Sequence, residues 1–249
     1  MKNILCETEN VRKANSMLNR MEGKKGADMT LIYGHPGTGK SHFAIKNFAQ
    51  NGWGYHRLST METPKMFLRE IYRSLILEMT GKESVIHVDS GTLARATIEL
   101  FQEISYQRER LQNKKPYIFF IDEINLAIQN RKWQIVELIR DFRDIANAKI
   151  IMIGEEDTKK RLERYNSHFF NRCSNFCEFD ITSTNEMINI LIRTMEVEAE
   201  KEAIYYIIKE SKGSLHSLEA KIKDFELIAK RKNISKLTLK DILDSIKED

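Results

Sequence analysis

Apolar residues recur in two rhythms along this chain of 249 residues. Unbroken apolar runs stand at Met29-Thr30-Leu31-Ile32-Tyr33, Tyr117-Ile118-Phe119-Phe120-Ile121 and Lys149-Ile150-Ile151-Met152-Ile153-Gly154. The more mixed Gly54-Tyr55-His56-Arg57-Leu58-Ser59 also reads as a strand. A run such as 117–121, without polar alternation, suits a strand buried on both faces. Between the runs, apolar positions at helical spacing predict helices over 8–22, 41–49, 64–79, 92–106 and 133–145. Strands alternating with helices imply a parallel, doubly wound sheet, an α/β fold. After Phe179 the rhythm becomes purely helical, with amphipathic stretches over about 184–195, 198–211, 214–231 and 238–247 and no strand. Ser183 or Thr184 caps the first of these, with Glu186 in its opening turn, Gly213 separates two of them, and Thr238 caps the last. The order of elements therefore predicts an α/β core over residues 1–180 and a small all-helical lid over 181–249.

Composition narrows this only slightly. Hydrophobic residues make up 41% and charged residues 31%, the balance of a soluble domain, and no run of about 18 apolar residues is present to span a bilayer. The first ten residues lack the apolar stretch of a secretory signal, so a cytoplasmic setting is expected. Cys6, Cys173 and Cys177 read as ordinary reduced thiols; with His168 the latter two lack the spacing of a zinc site. A net charge of +4 permits a nucleic-acid partner but does not require one, so any such surface must come from local clustering.

The chemistry begins where the first apolar run ends. Gly34-His35-Pro36-Gly37-Thr38-Gly39-Lys40-Ser41 lies between a predicted strand and a predicted helix, the context that separates a phosphate-binding loop from a chance glycine-rich turn. Its glycines let backbone N–H groups converge on phosphates, with the positive end of the following helix aimed at them. Lys40 is expected to reach the β- and γ-phosphates of ATP, and the Ser41 hydroxyl to ligate Mg2+. Asp122 and Glu123 follow the run 117–121, at the sheet edge where ligands bind. Asp122 is expected to hold Mg2+, and Glu123 to orient and polarise the attacking water. Ser59 and Thr60 either restrain Glu123 by hydrogen bonding or simply cap the next helix. Arg172, placed after the last strand and before the lid, either reaches a neighbouring subunit's γ-phosphate or pairs with a surface carboxylate.

With these residues in view, the chain resembles the AAA+ ATPases, and among them the transposition ATPases of the phage Mu B type, with IstB and TnsC more distant. The resemblance covers nearly the whole chain. It is carried by residues 34–41, by Tyr55-His56-Arg57-Leu58-Ser59 leading into Thr63-Pro64, by Ile121-Asp122-Glu123, and by Ile139-Arg140-Asp141 with Ile150-Ile151-Met152-Ile153-Gly154-Glu155. It implies a three-layer α/β/α core with a helical lid, and Arg172 at the family's arginine-finger position. It further implies an ATPase, slow and dependent on assembly, that polymerises as a helical filament on duplex DNA without sequence preference, presents that DNA to a transposase and stimulates it. Two departures bear on this. A counterpart of the Mu protein's N-terminal DNA-binding appendage is not expected here, with the phosphate loop beginning at Gly34, and Gly213-Ser214-Leu215-His216 places His216 where a lid arginine is usual. A neutral imidazole lacks the fixed charge of an arginine, so weak hydrolysis or reliance on a neighbour's Arg172 is expected.

Lys65, Arg69 and Arg73 recur every fourth residue, within an arc of about 80° on one helix, and Lys82 extends the row. Such a row either contacts DNA phosphates or is a solvated helix face diluted by Glu70 and Glu78. Two other classes share the core chemistry: a helicase loader or replication initiator, and a switch ATPase with no nucleic-acid role. The first is expected to carry an N-terminal helicase-binding domain, and the second effector or repeat domains.

Overall fold

The structure is a computed structural model, and it describes residues 7–84, 86–111 and 115–248; Cys6 lies outside them. In chain order the elements are α1 (Glu9–Gly23), β1 (Asp28–Gly34), α2 (Lys40–Asn51), β2 (Gly54–Arg57), α3 (Pro64–Thr80), α4 (Ser90–Arg110) and β3 (Ile118–Asp122). There follow α5 (Ile124–Gln129), α6 (Trp133–Asp144), β4 (Lys149–Gly154), α7 (Thr158–Tyr165), α8 (Ser167–Phe170) and β5 (Asn175–Phe179). The C-terminal elements are α9 (Thr184–Thr194), β6 (Glu198–Ala199), α10 (Lys201–Ser211), α11 (Leu215–Arg231), β7 (Lys236–Leu237) and α12 (Leu239–Glu248).

Contacts divide the chain into two compact units. One holds residues 13–34 and 40–178 and is built on a five-stranded sheet of order β2-β3-β4-β1-β5. The pairs β1–β4, β2–β3 and β3–β4 are parallel. This is the parallel sheet with flanking helices that the alternation of elements predicts. Every residue of β1, β3 and β4 is buried, which is why these three strands carry unbroken apolar runs. β5 escaped the pattern because it lies at the sheet edge: Glu178 faces out between buried Cys177 and Phe179, leaving five residues of mixed character. Arg172 thus precedes the last strand instead of following it. The order puts β4 next to β1 and β3 one strand beyond, so the C-terminal ends of β3 and β4 share a sheet edge with the end of β1, where the glycine-rich loop begins.

Two local devices set the positions that matter later. Thr63 caps α3 by accepting from the Met66 N–H at 3.3 Å, Pro64 fills the first turn, and Gly81 ends the helix at φ 67°. The buried face of α3 is Phe67, Leu68, Ile71 and Leu75. Gly54, at the start of β2, lies so close to Phe119 that an added Cβ would fall 2.1 Å from its ring.

The second unit holds residues 1–12, 35–39 and 179–249, and its core is made by Met187, Leu191, Ile207, Leu218, Ile222, Phe225, Leu237 and Ile242. Ser183 and Glu186 form a reciprocal capping box at α9, and Thr238 and Asp241 form the same arrangement at α12. The region is helical as predicted, with one addition. β6 and β7 pair in parallel, Glu198 with Lys236 and Ala199 with Leu237, so α10 begins at Lys201 instead of 198. Two residues per strand are too few to print a periodicity on the sequence. Among the described residues no helix is long and apolar enough to cross a membrane.

Candidate functional site

At the C-terminal edge of the sheet, β1 passes into the loop 34–41 and α2 begins at Lys40. Gly37 and Gly39 have φ of 75° and 94°, conformations that an L side chain rarely adopts. The Thr38 hydroxyl donates to the His35 carbonyl at 2.8 Å, folding the turn on itself. Leu215, at the first position of α11, donates its N–H to the Gly37 carbonyl at 2.8 Å. A Cβ on Gly37 would meet the Ser214 hydroxyl at 2.2 Å, so this approach requires glycine. Next to Leu215, His216 is exposed in the first turn of the same helix. Gly34, His35, Pro36, Gly37, Thr38 and Gly39 form the turn between β1 and α2.

Lys40 donates to the Gly34 carbonyl at 2.8 Å. Burial pulls its pKa below the ordinary lysine value, and the charges of Asp122, Glu123 and Glu155 oppose that shift. Lys40 therefore stands within electrostatic reach of both acids that end β3.

Asp122 is buried, 1% exposed. Its carboxylate accepts from the Tyr55 hydroxyl at 2.9 Å and from the Glu123 N–H at 2.9 Å. Burial, followed by the charge of Asp122, raises the Tyr55 pKa, so Tyr55 stays a neutral donor. Glu123 has φ 59° and ψ 37°, a left-handed conformation that is costly for a residue with a side chain and typical of functional positions. Its carboxylate accepts from the Arg57 guanidinium at 2.9 Å. Tyr55 and Arg57 are two apart on β2, hence on one face, and each holds one acid of β3.

Neither Ser59 nor Thr60 is the residue bonded to Glu123. The Ser59 N–H donates to Glu62, and the Thr60 carbonyl accepts from Lys132. The sequence reading missed Arg57 because it treated β2 only as a strand; an arginine two positions after a tyrosine, at the strand end beside the acids, was the available signal.

Arg172 follows α8 and bonds within the chain. Its Nε donates to Asp144 at 2.5 Å and its Nη1 to the His168 carbonyl at 2.7 Å. The carboxylate pairing raised as one of the two alternatives is therefore present. On α3, Arg73 is paired with Glu70 and Glu83 at 3.2 Å each, so the basic row is locally neutralised there. Lys65 and Arg69 are half-buried, and Lys82 is exposed beyond the helix end. Cys173 and Cys177 are buried, and burial pushes the Cys173 thiol up to about 12. No group of three His, Cys, Asp or Glu suited to a metal occurs among the described residues. Ser41 and Asp122 supply hydroxyl and carboxylate oxygens, a donor chemistry that fits Mg2+ completed by phosphate oxygens and water.

The family model described as AAA domain matches residues 22–162. Among solved structures, the Aeropyrum pernix ORC2 protein with ADPNP and ADP matches at 15% identity with a TM-score of 0.64, over 100% of this chain and 70% of that one. The Aeropyrum pernix ORC1 protein in complex with DNA matches at 14% and 0.64, over 99% of this chain and 66% of that one. A mutant form of Thermotoga maritima RuvB matches at 19% and 0.64, over 98% of this chain and 70% of that one. At these identities the likeness is one of fold. No match is found among curated protein sequences.

Proposed function

This chain belongs to the AAA domain family, and on that premise we propose that it hydrolyses ATP to switch its assembly on duplex DNA. The observation that carries the ATPase reading is the convergence of Lys40 with Asp122 and Glu123 at one sheet edge. Backbone N–H groups of residues 34, 35 and 37–39, all but the N–H-less Pro36, cradle the phosphates, and Lys40 neutralises the β- and γ-phosphates. Ser41 and Asp122 would hold Mg2+, which when bound would offset phosphate charge. Glu123 takes a proton from water as its oxygen bonds to the γ-phosphorus and the bridging oxygen leaves with ADP. For this, the Arg57 contact on Glu123 must loosen, so hydrolysis is slow until assembly rearranges it. Arg172 completes the site of a neighbouring copy once its Asp144 contact is exchanged for a phosphate. His216 offers the γ-phosphate a weaker contact than an arginine does.

The finer reading follows the segments that resemble the Mu B type: a helical assembly on DNA of any sequence, contacted through Lys65, Arg69, Arg73 and Lys82, that delivers this DNA to a transposase. A replication-initiator or loader role is the second reading, favoured by the fold likeness to the ORC proteins. Negative-stain electron microscopy with duplex DNA, with and without ATP, separates them. Filaments that need both ligands are expected. Closed rings would favour the loader, and dispersed particles with no DNA binding by fluorescence anisotropy would leave only the ATPase.

A further inference from the structure

Between β2 and α3 the chain makes a tight turn over residues 59–62, closed by the Glu62 N–H donating to the Ser59 carbonyl at 3.3 Å. The turn is unusually constrained. The Glu62 carboxylate, 5% exposed, folds under it, accepting from the Ser59 N–H at 3.1 Å and meeting the His56 ring nitrogen at 2.7 Å. From the other side the Lys132 ammonium donates to the carbonyls of both Thr60 and Glu62, at 2.5 and 2.8 Å. Residue 61 is thereby clamped at both flanking peptides. The side chain presented on this clamp is Met61, 82% exposed, the highest value among the large hydrophobic residues described.

A lone exposed apolar residue needs no explanation in itself. Here, however, a buried carboxylate and an ammonium are both committed to holding its backbone still. The surroundings indicate what it meets. Between residues 58 and 69 the only acid is Glu62, and it is turned inward. The side chains left facing out are the hydroxyls of Ser59, Thr60 and Thr63, with Met66 exposed and Lys65 half-exposed beside them. Hydroxyls, a lysine and an apolar tip, with the nearest outward carboxylate in sequence, Glu70, already paired with Arg73, complement a sugar–phosphate backbone: the polar groups take phosphate oxygens and the thioether side chain packs against deoxyribose or a base edge.

We propose that the turn 59–62 is a preorganised duplex-DNA contact in which Met61 supplies a non-electrostatic share of the affinity; this rests on the DNA-binding reading above. Because the turn is held before DNA arrives, little ordering entropy opposes the contact. A phosphate contact alters the salt dependence of binding, whereas an apolar contact does not.

The test is fluorescence anisotropy on random-sequence duplex DNA across a salt series, with a slowly hydrolysed ATP analogue, comparing the parent with Met61→Ala, Met61→Leu and Lys65→Ala. Met61→Ala is expected to bind about tenfold more weakly with an unchanged slope of log affinity against log salt, and Met61→Leu to recover most of the loss. Lys65→Ala should reduce the slope by about one. Unchanged melting temperatures would show that the exposed substitution leaves the fold intact. If Met61→Ala binds like the parent, this proposal is wrong and the DNA reading stands. If the parent binds no DNA with the analogue present, both fall. If Met61→Ala instead abolishes nucleotide-driven assembly measured by light scattering without DNA, the turn is a subunit contact and the proposal is overturned.

Discussion

Arg57 pairs with Glu123, the carboxylate proposed to activate water. Its guanidinium is 62% exposed and pairs with a carboxylate that is 27% exposed, so the ion pair contributes little to stability and acts instead on where Glu123 points. Arg57→Ala is expected to raise basal ATP turnover several-fold, read by phosphate release, with no loss of melting temperature. An unchanged or lower rate would mean that Arg57 does not restrain the base. Glu123→Gln should cut turnover by about a hundredfold or more while nucleotide still binds, because only the proton acceptor is removed. Wild-type turnover in that variant would remove Glu123 from its assigned role.

At the scale of elements, helix ends are held by side chains distant in sequence. Glu186 caps α9 through Ser183 and also accepts the Glu9 N–H at 2.6 Å, so one carboxylate secures the starts of two helices. Burial works against its ionisation, but the Glu9 N–H and the Ser183 hydroxyl and N–H win, and its pKa lies below the ordinary 4.5. A carboxylate depressed in the folded state stabilises fully above its unfolded pKa and loses that effect as pH falls through the folded value. The melting-temperature gap between the parent and Glu186→Gln should therefore be widest near neutrality and close as pH drops below about 4.5. A gap that is constant with pH would show that its charge is immaterial. Lys149, 7% exposed, donates to the carbonyls of Met21 and Lys24 at the end of α1. Lys149→Met leaves both carbonyls short of a donor, which should cost about 2–3 kcal/mol and lower the melting temperature by roughly 5–10 °C.

At the scale of the whole molecule, the role proposed for Arg172 depends on a second copy. Within one chain it is held by Asp144 and the His168 carbonyl, an arrangement that only orients it. If it acts in trans, Arg172→Ala should lower turnover by roughly a thousandfold at concentrations that assemble the protein, with nucleotide binding intact. Mixing it with Lys40→Ala, which supplies a sound arginine but no working loop, should restore activity. If mixtures gave only the sum of the two inactive proteins, the arginine would be a surface ion pair and nothing more.

Local chemistry was enough to locate the glycine loop, the acids Asp122 and Glu123, the three central strands and the caps at Ser183 and Thr238, because each rests on contiguous residues or on a period imposed by burial. The edge strand β5 and the pair β6–β7 stayed hidden, since exposure on one side or a length of two residues leaves no pattern to detect. Which side chain restrains Glu123, what Arg172 rests against, and how Lys132 grips the turn under Met61 are contacts between residues 28 to 72 positions apart. Such pairings follow from strand order and helix placement. The order of residues alone specified the chemistry available, and only the tertiary structure decided which partner each charge met.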